Sequence, residues 1–245
     1  MVTSRTAVYS DMLTLQTKLQ FPFERHFFSL PGWAEARTVL DFGCGNIAYA
    51  TLLDDLFPGK QFFCVEADSE MREVAVRRSR PNLHVVGQLD EIPSDVRFDF
   101  NLLRLVLLHV AEREAVYKFV SARSEIGAKL LIFDAEDDLL AFDPQPREFV
   151  SALRALRAQS KNRALRPLLP NELDAYGFTL QYEDSIVVNN SFPHAGEDLF
   201  KYMYRTAELG VGSPLPEVIH RELIEWWMGS PYVQYGFFGQ LYERS

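Results

Sequence analysis

Apolar residues in the middle of the chain fall into short runs separated by helical patterns. Thr38 to Phe42, Gln61 to Val65, Leu83 to Val86, Phe98 to Leu103 and Lys129 to Asp134 are runs of strand length. Helical spacing fills Gly45 to about Phe57, Glu70 to Arg78 and Glu112 to Glu125. Strands that are apolar on both sides and alternate with helices form a parallel sheet covered on both faces. Right-handed crossovers make such a sheet doubly wound. Ahead of it, Thr3 to Trp33 predicts one or two short helices. Ser10 or Asp11 is the expected cap, Met12, Leu15 and Leu19 lie at helical spacing, and Pro22 restarts the chain. After Asp134 the spacing predicts helices over Arg147 to Arg163, Asn171 to Ala175, Asp198 to Leu209 and Glu217 to Met228. Phe178 to Val188 reads as a strand, and Tyr232 to Tyr242 closes the chain as an extended segment. No helix immediately follows either of these last two strands, which implies an antiparallel sheet edge. No linker divides the chain.

The 245 residues, 47% hydrophobic and 24% charged, suit one globular domain with a large core and exclude a disordered, collagen-like or coiled-coil chain. A net charge of -9 argues against general binding to nucleic acid or to an anionic membrane. Cys44 and Cys64 lie in apolar segments and imply no disulfide framework, so a reducing, cytoplasmic setting is expected. The longest apolar stretch, Leu102 to Val110, is interrupted by Arg104 and His109 and is too short to span a bilayer.

The strongest chemical signal follows the first strand: Val39-Leu-Asp41-Phe-Gly43-Cys44-Gly45. Glycines let the backbone approach a ligand closely, and the next helix points its free N–H groups into the same crevice. Gly43, Gly45 and Ala48 also fit a dinucleotide fingerprint, with Glu66 placed to meet a ribose. Asp41 argues against that ligand, because a carboxylate there repels a pyrophosphate and welcomes a cationic amino group.

These residues resemble the class I S-adenosylmethionine-dependent methyltransferases. Asp41, Gly43, Cys44 and Gly45 are similar to that family's first motif, and Cys64-Val-Glu66-Ala67-Asp68 to its second. Gly87-Gln88-Leu89-Asp90 resembles the segment beside adenine, and Phe98 to Val110 resembles strand four and its sequel. The chain departs from the family at Ile47, where a third glycine is common, and at Gln88, where an Asp usually stands. The resemblance implies an α/β, Rossmann-like doubly wound seven-stranded sheet with an antiparallel last strand, an N-terminal helical cap and a C-terminal helical insertion. The expected layout is a cap over 1–35, a core over 36–190, a helical lid over 191–230 and a final strand over 231–245. It implies methyl transfer from S-adenosyl-L-methionine to a small molecule. Asp41, Gly43, Cys44, Gly45, Glu66, Ala67, Gln88, Leu89 and Arg104 would lie at the cofactor, and His109 would serve as a catalytic base.

Other features leave readings open. Arg104 interrupts an apolar strand and needs either a ligand or an acidic partner. Asp134-Ala-Glu136-Asp137-Asp138 ends a strand at the site edge, as a solvated loop or a lure for an amine or metal, and lacks metal-ligand spacing. Arg147, Arg154, Arg157, Lys161, Arg163 and Arg166 make one segment basic, a solvated face or an RNA contact. Tyr9, Phe21, Phe23, His26 and Phe27 at the front, with Tyr202, Tyr204, Trp226 and Trp227 at the back, are candidates for an aromatic lid, or for core. An RNA methyltransferase, an NAD(P)-dependent oxidoreductase and a S-adenosylmethionine-binding protein without methyl transfer are the alternative functions.

Overall fold

The computed structural model describes residues 4–160, 162, 164–191 and 195–245. Thr3, Lys161, Arg163 and His194 lie outside the described residues. The chain opens with α1 (Arg5–Glu24), one continuous helix. Its cap is Ser4, whose hydroxyl accepts from Ala7 N, so the helix starts a turn and a half before the expected Ser10. Pro22 does not restart the chain. It sits in the last turn, where it forfeits a single N–H···O bond.

Five strands follow, β1 (Thr38–Phe42), β2 (Gln61–Val65), β3 (Leu83–Val86), β4 (Phe98–Arg104) and β5 (Ser124–Ala135). The helices α2 (Ala48–Leu56), α3 (Ser69–Arg78) and α4 (Arg113–Arg123) lie between them. Then come β6 (Ala141–Asp143), α5 (Arg147–Arg157), α6 (Leu169–Asp174), β7 (Phe178–Asn189), α7 (Gly196–Val211), α8 (Glu217–Met228) and β8 (Tyr232–Arg244).

The sheet has eight strands in the order β3-β2-β1-β4-β5-β8-β6, with β7 paired to β8. β1 to β5 pair in parallel and β8 runs antiparallel to β5. Alternate residues of the central strands serve opposite faces, as the two-residue strand period requires. Phe100, Leu102, Leu131 and Phe133 join a core beneath α2 and the aromatic residues Phe27, Phe28 and Trp33. Leu103, Leu130 and Ile132 join another beneath α4 and α6. A third core, with Phe149, Leu199, Leu223 and Trp226, holds α5, α7 and α8 together as the C-terminal insertion.

The eighth strand, β6, is only three residues long and carries no readable period. It forms because β8 runs past the end of β5: residues 237–243 of β8 pair with β5, and 232–234 pair with β6. The gap between β5 and β6 opens the sheet edge toward a cavity. β1 lies between β2 and β4, so the chain leaves it toward β2 and later returns to its other side at β4. Such a reversal leaves a crevice beyond the strand ends.

Candidate active site

The turn after β1 is tied to the end of β2. The N–H groups of Gly43 and Cys44 both donate to Val65 O, at 2.9 and 3.1 Å. Gly43 and Gly45 have φ of +76° and +57°, a region that favours glycine. A Cβ on Gly43 would lie 2.3 Å from Val106 Cγ2, and one on Gly45 2.6 Å from Leu13 Cδ1. Part of what these glycines admit is therefore protein: the loop after β4 and the face of α1. Asn46 fastens α1 over this turn, its Nδ2 donating to Ser10 O at 2.7 Å and contacting Ser10 Oγ and Thr14 Oγ1 at 3.0 Å. Ile47 has φ 55° and ψ 13°, a left-handed conformation unusual for a β-branched residue. The third glycine position thus keeps its glycine-like backbone while a fully buried isoleucine fills the core.

Glu66, at the end of β2, faces the turn. Its Oε2 accepts from Gly45 N and its Oε1 from Asp68 N, both at 2.9 Å. Burial raises its pKa, and those two N–H groups oppose the rise. Asp41, at the end of β1, is buried, and its Oδ2 has no hydrogen-bond partner. Burial pushes its pKa up to about 7, against the pull of Arg104 and with a further push from Glu66. Arg104 ends β4. Its Nε donates to Glu24 Oε1 at 2.9 Å, its second terminal nitrogen to Gln20 Oε1 at 2.6 Å, and its guanidinium lies 4.2 Å from the Tyr49 ring centre. Arg104 has an acidic partner in Glu24 and also lines the cavity.

That cavity measures about 830 Å³. It runs from the glycine turn and Glu66, under α1, to Phe142, Phe149, Met203 and Val233 of the C-terminal insertion and β8. Asp41, Gly43, Cys44, Gly45, Glu66, Ala67, Arg104 and His109 all line it. Gln88 and Leu89 do not: they start a short 3-10 turn just beyond β3, although Glu66 N donates to Val86 O two residues before Gln88. His109 is exposed in a turn, and α4 begins only at Arg113. Cys44 and Cys64 are buried and free, and burial helps raise both thiols above their ordinary pKa.

Of the candidate lid aromatics, Tyr9 and Tyr202 line the cavity, whereas Phe21, Phe27 and Trp226 are core. Gln16, Gln20 and Tyr235 also line it, and the sequence reading did not single them out. The available signal was a polar stripe on α1, Gln16, Gln20 and Glu24, each four residues from the next and each buried.

The acidic run after β5 is tied into the protein. Asp134 is buried and accepts from Leu108 N at 3.2 Å and Ala135 N at 2.8 Å. Glu136 pairs with Arg166 at 2.7 Å and Asp137 with Arg157 at 3.1 Å. Two arginines of the basic segment are thereby engaged inside the molecule. Among the described residues no group of three His, Cys, Asp or Glu side chains could hold a metal ion, and no helix is long and apolar enough to cross a membrane.

Residues 40–132, from β1 into β5, match the family described as "Methyltransferase domain". This stretch is similar to a methyltransferase domain, and S-adenosylmethionine-dependent methyltransferases share the fold of the chain. The match spans the glycine turn, Glu66 and Arg104. No curated protein sequence matches the chain.

Solved structures share its fold. A methyltransferase of Bacillus halodurans C-125 superposes with a TM-score of 0.57 at 14% identity, over 96% of this chain and 99% of that one. Phosphoethanolamine N-methyltransferase 2 of Haemonchus contortus, bound to phosphomonomethylethanolamine and S-adenosylhomocysteine, gives 0.58 at 15% identity, over 98% and 57%. Geranyl diphosphate C-methyltransferase of Streptomyces coelicolor A3(2), bound to Mg2+, geranyl diphosphate and S-adenosylhomocysteine, gives 0.51 at 13% identity, over 85% and 73%.

Proposed function

We propose that this methyltransferase moves a methyl group from S-adenosylmethionine to a small-molecule acceptor. The observation that carries the reading is the buried, unpartnered Oδ2 of Asp41 in a cavity continuous with an apolar chamber. A buried carboxylate oxygen without a partner is costly, and a cationic amino group would restore its bond. S-adenosylmethionine offers that amino group and, when bound, supplies an electrophilic methyl on a sulfonium centre.

In this reading Asp41 holds the amino end. The main chain of Gly43, Cys44 and Gly45 leaves room beside it. Glu66, already fixed by two N–H groups, keeps lone pairs for ribose hydroxyls, with Ala67 alongside. Arg104 acts through its charge on Asp41 and by holding Gln20 and Glu24. Gln88 and Leu89 would reach an adenine that extends past Ala67. The residues of α1 cover the crevice and keep water from it, so the acceleration comes mainly from positioning. His109, on the cavity wall, is the candidate to take a proton from an O or N acceptor.

A largely apolar chamber beneath α1 supports a small molecule over RNA, as do the ion pairs of Arg157 and Arg166. The single-domain layout and the cytoplasmic setting belong to the same reading.

Calorimetric titration with S-adenosylmethionine, S-adenosylhomocysteine, NAD and NADP tests it. Binding of the adenosyl ligands alone, weakened at least tenfold by Asp41→Asn and by Glu66→Gln, is the expected result. Binding of NAD or NADP alone would overturn it. Adenosyl binding without turnover of any acceptor across a broad panel would favour a binding protein.

A further inference from the structure

The cavity continues well beyond the glycine turn, and its inner chamber has a distinct chemistry. Its walls are Phe142, Phe149, Leu153, Met203 and Val233, with the rings of Tyr202 and Tyr235 stacked on each other, centres 5.4 Å apart and planes 27° apart. Each arginine that lines the cavity among the described residues is engaged. Arg104 pairs with Glu24, Arg157 with Asp137, and Arg5 donates to Gln159. A phosphate or carboxylate in the inner chamber would have to break the Arg104 or the Arg157 pair to find a cation, because Arg5 stands at the exposed start of α1.

Polar groups are nevertheless aimed into the chamber. The Tyr235 hydroxyl is buried beside the Gln20 side chain, and no acceptor takes its proton. Burial holds its pKa well above the ordinary phenol value, so it stays neutral and keeps its proton to donate. Gln20 gives its carbonyl oxygen to Arg104 and its amide also meets the Tyr235 hydroxyl, which leaves one N–H to offer. Gln16 in turn donates to the Tyr202 hydroxyl at 3.3 Å and steadies that ring. Two neutral donors beside an aromatic wall are suited to one oxygen on a ring-sized body.

We propose that the acceptor of this methyltransferase is an uncharged, ring-sized molecule with one hydrogen-bonding oxygen, and that Tyr235 and Gln20 receive that oxygen. The inference rests on the small-molecule reading above and names its class. It distinguishes this chain from the neighbours whose named ligands carry phosphate.

The test uses the full chain with S-adenosylhomocysteine present and three matched probes, 2-naphthol, naphthalene and 2-naphthyl phosphate, titrated by calorimetry. 2-Naphthol is expected to bind at least tenfold more tightly than 2-naphthyl phosphate. Tyr235→Phe should weaken 2-naphthol about tenfold and leave naphthalene and S-adenosylhomocysteine unchanged. The ligand-free variant should melt close to the parent, because the hydroxyl it loses meets only Gln20. Equal or tighter binding of the phosphate ester would overturn the inference, as would an equal loss for naphthol and naphthalene. S-adenosylhomocysteine binding without any 2-naphthol binding would overturn the acceptor class and leave the methyltransferase reading standing. The probe pattern without S-adenosylhomocysteine binding would do the reverse.

Discussion

Arg104 at the end of β4 and Glu24 in the last turn of α1 form a buried ion pair 2.9 Å long, with Arg104 7% and Glu24 0% exposed at the side chain. Eighty residues separate them in sequence. The pair fixes the cap helix to the centre of the sheet and sets the charge felt by Asp41. Removing one member of such a pair strands the other charge away from water. Arg104→Leu should therefore cost about 3–5 kcal/mol. Replacing both residues with leucine should recover more than half of that. Urea unfolding of the single and double variants checks both values.

The unpartnered Asp41 makes stability depend on pH in an unusual direction. Its folded pKa, about 7, lies above the 3.8 of an ordinary Asp. Between those values the folded state binds more protons, so stability falls as pH rises from 4 through 7 and then levels. The contribution is bounded at roughly 4 kcal/mol. Asp41→Asn should flatten this slope and stabilise the ligand-free protein at pH 8. Binding of S-adenosylmethionine runs the other way. Affinity for its cationic amino group should rise from pH 6 to pH 8 in the parent and lose that rise in Asp41→Asn. Denaturation and calorimetry across this range read the two trends separately.

Ile47 sets two effects against each other. Its left-handed backbone penalises any residue with a Cβ by about 1–2 kcal/mol. Its fully buried side chain is worth about 2–5 kcal/mol relative to alanine. Burial wins, so Ile47→Gly should destabilise the protein despite relaxing the turn. Ile47→Ala should be worse than Ile47→Gly by about 1 kcal/mol, the reverse of the order in an ordinary helix. Equilibrium unfolding of the two variants decides the order.

Asn46 is the latch between the glycine turn and α1. Asn46→Ala removes its contacts with Ser10 and Thr14 and the acceptor its Oδ1 gives to Ala48 N, at a cost of about 1–3 kcal/mol. Ion pairs Lys18–Asp198 and Arg205–Asp11 still join α1 to α7, so the fold should survive with a looser cap. Hydrogen exchange over residues 5–24 should speed up at least tenfold, and S-adenosylhomocysteine should dissociate faster.

The sequence by itself determined the parts whose signal is local. Each of β1 to β5 is an apolar run bounded by turn residues, because a strand buried on both faces can hold little else. Asp41, Gly43, Gly45 and Glu66 are legible for the same reason: a strand end, a turn and the next strand end bring them together within one βαβ unit. Tertiary structure decided the rest. α1 carries buried Ser10, Gln16, Gln20 and Glu24, so its polar stripe reads as a solvent face until Arg104, Tyr202 and Asn46 arrive from distant elements to meet it. β6 exists only because β8 overruns β5. The place of Gln88 outside the cavity lining and the buried hydroxyl of Tyr235 beside Gln20 depend on how loops and strands pack. A hydrogen bond or a cavity wall belongs to pairs of residues, and when those residues lie far apart in the chain no spacing within either segment can announce it.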